Sequence, residues 1–185
     1  MTVDRETRFQ RLFDEAGQDL LVYALRRVER PEDAADLVAE TFLVVWRRLD
    51  DVPAGDEARL WLFGVARRQL ANQRRGELRR SALADRLRGE LPVAVAAVSA
   101  PEDESAVLVR SALGRLAPED RELLTLSGWE GLTPREIATV MRLPAVTLRS
   151  RLHRARKRLR AELAREGVDT GLARMSSTLE ATETR

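Results

Sequence analysis

Apolar residues return every three or four positions along most of the chain, the spacing that brings them onto one face of an α-helix. In the first segment, Phe9, Leu12, Phe13 and Leu20 share such a face. Valine and isoleucine form no alternating runs, and no Asn-Gly or Asp-Gly hairpin signal occurs in the sequence. Helices are predicted over residues 6–28, 31–49, 57–75, 102–115, 118–127, 134–141 and 145–165. The predicted fold class is therefore all-α.

Breaks in this pattern divide the chain into two small helical domains, residues 1–76 and 102–166. The segment between them, 77–101, holds glycine, proline and a run of small residues, with a hint of helix only near 81–88. It is predicted to be a flexible linker. Residues 167–185 are rich in Ser and Thr with few apolar anchors, which predicts a disordered tail.

The composition excludes several kinds of chemistry. The chain has 185 residues and no cysteine, so it has no disulfide, thiolate-bound zinc or thiol nucleophile. Its single histidine, His153, excludes a histidine-rich metal site. Neither a Gly-x-Ser-x-Gly motif nor a phosphate-cradling glycine loop is present. We predict no catalytic residue, no metal, no cofactor and no enzyme activity.

The start of the chain and its longest apolar run bear on location. No stretch with a basic start, an apolar middle and a small-residue cleavage site opens the sequence. The longest apolar run, 91–98, is interrupted by Pro92 and is far too short to span a bilayer. We expect a cytoplasmic protein without membrane insertion.

Positive charge is concentrated locally although the net charge is only +2. Residues 59–80 hold seven arginines against one acid, and residues 133–165 hold ten basic residues against two acids. Such concentrations suit a polyanion partner, and arginine suits phosphates and guanine edges. A solvated helix face is the alternative for either run, but two runs on helical patterns favour nucleic acid.

The most informative pattern lies at 132–159. Thr133 and Glu136 have the spacing of a capping box, with Pro134 at the first helical position. After a turn at 142–144, leucines recur on one face and polar residues on the other. The polar face comprises Thr147, Arg149, Ser150, Arg151, His153, Arg154, Lys157 and Arg158. The pattern is typical of a helix-turn-helix, whose second helix enters the major groove; a basic helix packed on its own domain is the alternative.

Two residues within this pattern need separate interpretation. Helix-turn-helix turns often place glycine in the left-handed conformation where this chain has Met141-Arg142. Arginine tolerates that conformation poorly, so a turn of different geometry is expected. His153 falls on the exposed face, where a solvated residue, or a contact to DNA in a complex, is favoured over a catalytic role.

The string 132–138 (Leu-Thr-Pro-Arg-Glu-Ile-Ala), followed by Leu143-Pro144 and 147–156, is similar to domain 4 of extracytoplasmic-function (ECF) sigma factors. The resemblance implies a domain that reads the −35 promoter element. The residues expected to contact −35 DNA are Thr147, Arg149, Ser150, Arg151, His153, Arg154 and Arg158.

The string 33–42 (Asp-Ala-Ala-Asp-Leu-Val-Ala-Glu-Thr-Phe), with Trp46, resembles the helix of sigma domain 2 that docks on the largest polymerase subunits. Asp36 and Glu40 lie one turn apart and can meet arginines, with apolar contact beside them. The residues expected to bind core polymerase are Asp33, Asp36, Leu37, Glu40 and Leu43. Trp46 is expected to be a core residue.

The string 61–72 (Trp-Leu-Phe-Gly-Val-Ala-Arg-Arg-Gln-Leu-Ala-Asn) resembles the sigma helix that reads the −10 element and melts DNA. Single strands are held by arginine-lined grooves together with base pockets or stacking platforms. The residues expected to contact −10 DNA are Trp61, Arg67, Arg68, Asn72, Arg74 and Arg75. The loop 50–57 corresponds to the loop that captures a flipped base.

Both halves match in the order found in ECF sigma factors. The resemblance implies a domain 2-like bundle of three to four helices and a domain 4-like helix-turn-helix. It implies a promoter-specificity subunit that binds bacterial RNA polymerase core and both duplex and melted promoter DNA, with an anti-sigma protein as a further partner. The alternative is a stand-alone helix-turn-helix regulator, which would dimerise through 33–46.

Overall fold

A computed structural model describes residues 2–28, 30–87 and 104–165, with side chains placed for 4–28, 30–76 and 106–165. Within these ranges every regular element is helical, so the all-α prediction is confirmed. The helices are α1 (Thr2–Leu25), α2 (Pro31–Arg47), α3 (Asp56–Leu87), α4 (Glu104–Arg115), α5 (Pro118–Gly128), α6 (Pro134–Met141) and α7 (Ala145–Arg165), with a short 3₁₀ turn at Leu49–Asp51. Two compact units result, described separately below.

The N-terminal unit is a bundle of α1, α2 and α3. Tyr23 of α1 packs on Phe63 of α3, with ring centroids 5.3 Å apart. Phe42 of α2 meets the ring of Phe13 from α1 at 4.9 Å. Each large buried side chain stabilises the fold by about 1.5–3 kcal/mol relative to its exposed state. These aromatic contacts fix how α2 sits on α1 and therefore which face of α2 remains in solvent.

The bounds of α2 follow from its sequence. Pro31 occupies the first turn, where its missing N–H is no loss, and Glu32 and Asp33 lie at the positive end of the helix dipole. Arg47 lies in the last turn, at the negative end. The helix ends at Arg47, two residues earlier than predicted, because the chain tightens after Arg48 into the 3₁₀ turn.

α3 is longer than the sequence pattern predicted. We expected it to end near residue 75 and a linker to begin at 77, but the helix passes through Gly76 and continues to Leu87. Residues 77–87 consist largely of alanine, leucine, arginine and glutamate, which favour helix strongly. One glycine costs about 1 kcal/mol in a helix interior and does not by itself end it. The rest of the expected linker, and the expected tail at 167–185, lie outside the described residues.

The C-terminal unit is built on contacts of α7 with α4 and α5. Leu123 and Leu126 of α5 are fully buried, as are Leu148 and Ala155 of α7. Arg121 of α5 donates to the last carbonyl groups of α4: its Nε lies 2.9 Å from the oxygen of Leu113, and its terminal nitrogen bonds the oxygen of Gly114. A cation at the end of a helix satisfies free carbonyl groups there and complements the dipole.

The helices α6 and α7 begin and end as predicted, at 134–141 and 145–165. The capping box is present: the backbone N–H and hydroxyl of Thr133 both donate to the Glu136 carboxylate at 2.7 Å, and the Glu136 N–H donates back at 3.4 Å. Arg142, in the turn, has a φ of 54°. The prediction of a different turn geometry was wrong, since arginine here adopts the left-handed conformation that glycine usually supplies.

Candidate functional site

The exposed side of α2 presents carboxylates and apolar groups together. Asp36 and Glu40 are exposed, Asp33 is half-buried, and Leu43 is 54% exposed. Their spacing of three and four residues places all four on one side of the helix, which we call the acidic face of α2. The Glu40 carboxylate accepts a long hydrogen bond of 3.4 Å from Gln73 of α3. The acidic face therefore offers two accessible carboxylates beside an accessible leucine.

Leu37 does not belong to this face. Its exposure is 0%, and it lies in a buried cluster with Ala24, Ala34 and Leu70. The expected apolar contact between Leu37 and polymerase is corrected accordingly, because Leu37 follows the helical spacing of the buried positions Ala34, Thr41 and Val45.

Trp46 also departs from expectation, since it is 38% exposed rather than a core residue. The ring of Phe9 meets it edge-on at 5.2 Å, and the guanidinium of Arg5 lies 5.4 Å from its centroid. It extends the exposed apolar surface one turn beyond Leu43.

The arginine row of α3 comprises the predicted −10 contacts. Trp61, Arg67 and Arg68 are half-buried, and the exposed members are Asn72, Arg74 and Arg75. Arg48 lies 5.9 Å from the Trp61 ring, within cation–π range. Partial burial and repulsion from nearby guanidinium groups, Arg48 and Arg67 among them, lower the pKa of Arg68. The row thus combines an aromatic surface with several cations on one helix.

Hydrogen bonds within the N-terminal unit orient the last two arginines of this row. Arg74 donates to the backbone oxygen of Arg27 at 2.9 Å, and Arg75 donates to the side-chain oxygen of Asn72. These bonds orient the two exposed guanidinium groups, while Asn72 remains on the surface.

The loop between α2 and α3 is fastened by residues that the sequence analysis did not single out. Arg8 of α1 donates to the backbone oxygen of Val52 at 2.6 Å. Arg5 reaches the oxygen of Trp46 at 2.7 Å and the Asp50 carboxylate at 3.1 Å. Val52 itself is buried. The expected base-capture loop is therefore clamped to α1 at both its start and its middle, by contacts that no local sequence signal reveals.

The predicted −35 contacts gather on the outer side of α7. Arg149, Ser150, Arg151, His153 and Arg154 are exposed, and Thr147 is half-buried. The Ser150 hydroxyl donates to the Thr147 oxygen at 3.0 Å, and Arg154 Nε donates to the Ser150 oxygen at 3.2 Å. From Ala145 to Arg165 the helix holds eight basic residues and one acid. We call this side the polar face of α7.

Arg158 has an additional role within the fold. Its guanidinium pairs with the carboxylate of Asp120 on α5, whose side chain is only 12% exposed, while the Arg158 side chain is 58% exposed. Arg115 of α4 likewise pairs with Glu162 at 3.2 Å. These two pairs hold α7 to α5 and to α4, which fixes the helix that carries the polar face.

The part of the chain that the structure describes holds neither a candidate metal site nor a candidate membrane span. No cluster of three or more histidine or carboxylate side chains there is arranged to hold a metal ion. None of the helices in those same ranges has the length and apolar character needed to cross a bilayer.

Comparison with known proteins identifies both units. The family model for Sigma-70 region 2 matches residues 12–80, and that for Sigma-70, region 4 matches residues 106–159. The ECF RNA polymerase sigma factor SigL of Mycobacterium tuberculosis is 33% identical over 164 residues, covering 85% of this chain and 89% of SigL. The chain belongs to the ECF RNA polymerase sigma factors. This sigma factor is accordingly a promoter-specificity subunit of bacterial RNA polymerase, and the stand-alone regulator is set aside.

Solved structures of other ECF sigma factors resemble this one. The sigma factor RpoE, from a complex with the anti-sigma factor NepR from Bartonella quintana, aligns with a TM-score of 0.66 at 26% identity, over 88% of this chain and 98% of that one. CnrH, from a complex with the cytosolic domain of CnrY, aligns with a TM-score of 0.56 at 26% identity, over 88% and 89%.

Proposed function

We propose that this sigma factor attaches to the polymerase core through the acidic face of α2, engages the −10 element with the arginine row of α3, and docks the polar face of α7 on the −35 duplex. The observation that carries this proposal is the separation of charge between helices. The exposed side of α2 bears carboxylates and a leucine, whereas the exposed charged side chains of α7 are all basic. One chain thus holds a protein-binding surface and a polyanion-binding surface.

The acidic face suits a protein partner rich in arginine. Carboxylates one turn apart can each receive charge-assisted hydrogen bonds from guanidinium groups. Leu43 and Trp46, both substantially exposed, would lose water on the same contact. Exposed apolar area rimmed by charge is typical of interaction sites. In this proposal Asp36, Glu40 and Leu43 form the centre of the contact, with Asp33 at its edge.

The two DNA contacts differ in kind. The arginine row offers cations and an aromatic ring, which suit a melted strand with accessible bases. The polar face of α7 lies on the second helix of the helix-turn-helix, which would enter the major groove so that its first two turns reach base edges. Phosphate contacts from both surfaces supply affinity that depends on salt. Recognition of the two elements would bring the chain to its promoter and favour strand opening.

The proposal assigns no bond-making step to this chain. The polymerase forms the phosphodiester bonds, and the sigma factor binds, positions and opens DNA. It would act in the cytoplasm, where polymerase and chromosome meet. Support for a purely binding role comes from the family to which the chain belongs.

An anti-sigma protein is the further partner that we propose. Two similar sigma factors, RpoE and CnrH, have been solved with the anti-sigma factor NepR and with the cytosolic domain of CnrY. An affinity-tagged copy expressed in uninduced cells of its source should co-purify with one non-polymerase protein that prevents binding to core. Recovery of polymerase subunits alone under these conditions would count against such a partner.

The core-binding proposal is tested by gel filtration with bacterial core polymerase. Wild type should co-elute with core, and the Asp36→Arg/Glu40→Arg variant should not, because the reversed charges repel the expected arginines. The matched control is Asp14→Arg/Glu15→Arg, which changes the net charge equally at exposed positions of α1. Co-elution of the α2 variant at the wild-type level, or its loss in both variants, would contradict the assignment of this face.

A further inference from the structure

Val146 is the most exposed of the large apolar residues that the structure describes, at 78%. It is the second residue of α7, directly after Pro144 and Ala145, which are both exposed and short. A single exposed valine is common and carries no meaning alone. Its position on the helix is what distinguishes it.

Val146 shares a side of α7 with three predicted base contacts. Arg149, Ser150 and His153 follow it by three, four and seven residues, so all four lie in one row, and all are exposed. The leucines that pack α7 into its unit, Leu148 and Leu152, are buried to 0% and 2% exposure and lie on the other side. The valine is therefore the apolar first member of a polar row, not part of the core.

We propose that Val146 contacts the 5-methyl group of a thymine in the −35 duplex and so helps to determine sequence specificity. This inference rests on the proposed docking of α7 in the major groove. In that geometry the N-terminal residues of the helix approach base edges most closely. The thymine methyl is the one apolar group on the major-groove edge, and apolar side chains are its usual contacts.

The shape of the side chain suits this task. Valine is branched at Cβ and holds one strongly preferred rotamer in a helix, so little side-chain freedom is lost on contact. The valine side chain is too short to reach a phosphate, and it can touch a base only where the start of the helix lies close to the base edge. Because Pro144 and Ala145 are also short, the residues directly before Val146 do not keep the start of α7 away from the groove floor.

The test uses the full chain assembled with core polymerase. The holoenzyme first selects promoters from a library with a randomised −35 region, which defines the preferred duplex. Each thymine of that duplex is then replaced in turn by deoxyuridine, which pairs identically but lacks the 5-methyl group. For wild type, one replacement should weaken binding about three- to fivefold, the change in affinity expected when one methyl-sized group is no longer buried.

In Val146→Ala, binding to the thymine duplex should fall and the ratio between thymine and deoxyuridine at that position should approach one. Val107→Ala is the matched control, since Val107 is a 49% exposed valine on α4; it should keep the wild-type ratio. A selected −35 motif with no position sensitive to deoxyuridine, or an equal ratio in wild type and Val146→Ala, overturns the inference alone. Enrichment of no −35 motif at all overturns the proposed function together with it.

Discussion

Arg158 combines a predicted contact with DNA and an ion pair within the fold. The sequence places it with the DNA contacts, whereas the structure pairs it with Asp120, whose side chain is largely buried. A buried carboxylate that loses its partner bears the full cost of desolvation. We therefore regard Arg158 first as a residue that orients α7, and only second as a DNA contact.

Arg158→Ala should lower the free energy of unfolding by about 1–3 kcal/mol, toward the lower value because water reaches this half-exposed pair. Urea denaturation followed by circular dichroism measures the change. Arg151→Ala, an exposed arginine of the same helix, serves as the control and should stay within about 0.5 kcal/mol of wild type. Equal stability of the two variants would show that the Asp120 pair contributes nothing.

Arg149 and Arg154 carry the opposite expectation, since both are exposed on the polar face of α7. Replacing either with alanine should weaken −35 duplex binding by about 1–3 kcal/mol if it contacts a base, with little effect on stability. Fluorescence anisotropy of the labelled duplex with the sigma–core complex gives the affinity. Unchanged affinity for both variants would refute the docking of this face.

The turn before α7 holds a residue in an unfavourable conformation. A non-glycine residue in the left-handed region costs roughly 1–2 kcal/mol, and Arg142 has a φ of 54° there. The capping box of α6 and the packing of α7 outweigh that cost locally. The turn therefore keeps the geometry expected for glycine without having one.

Arg142→Gly should raise the free energy of unfolding by up to about 1 kcal/mol, because relief of strain exceeds the entropy that glycine adds to the unfolded chain. Thermal and urea denaturation provide the measurement. Arg160→Gly, at an exposed position in the C-terminal half of α7, should instead lower stability by about 1 kcal/mol. A loss of stability in both variants would mean that Arg142 makes contacts worth more than its strain.

Elements with local signals could be predicted from the sequence. The capping box needs residues only three apart, and the buried stripe of α7 follows from the spacing of its leucines, so α6 and α7 were placed correctly. The end of α3 was not, because Gly76 resembles a stop signal while the helix formers beyond it prevail.

Features that depend on tertiary packing could not be predicted from local sequence patterns. Leu37 and Leu43 are both leucines of α2, yet one is fully buried and the other exposed, since only the packing of α1 and α3 decides which side faces inward. The same holds for Arg8 and Val52, which are 44 positions apart, and for Asp120 and Arg158, which are 38 apart. Each pair joins two elements whose contact cannot be predicted from a local sequence pattern.

For the whole molecule, the distribution of charge says more about its binding partners than the net charge of +2 does. If the arginines of α3 and α7 contact phosphates as proposed, DNA binding should fall steeply with salt, since each phosphate neutralised releases counterions. The acidic face of α2 would be repelled by the same DNA, which directs that surface toward protein. On the proposed assignment of these surfaces, we expect electrostatics to favour one orientation of the chain on a promoter before any base is read.

If the loop between α2 and α3 captures a flipped base, as the resemblance implies, the clamp of α1 on it predicts a defect in DNA opening without a defect in assembly. Arg8→Ala removes a partly buried hydrogen bond from a charged donor, worth about 1.5–3 kcal/mol, and frees the loop backbone at Val52. Open-complex formation, followed with a fluorescent base analogue in the −10 element, should slow about tenfold or more.

Two comparisons make this result specific. Arg8→Ala should still co-elute with core polymerase, because the acidic face is unaltered. Arg11→Ala, an exposed arginine of the same helix, should open DNA at the wild-type rate. Normal opening by Arg8→Ala would show that the loop does not depend on this clamp.

Arg5 and Arg8 also lie more than forty positions ahead of the backbone that they hold. A growing chain leaves the ribosome from its N-terminus, so both guanidinium groups are available before the loop is synthesised. These hydrogen bonds nevertheless form only after the forty or so intervening residues have folded back on α1, so they are late contacts in folding. We therefore expect the loop to be among the last parts of its unit to become ordered, and its amide protons to exchange with solvent sooner than those of the buried helices around it.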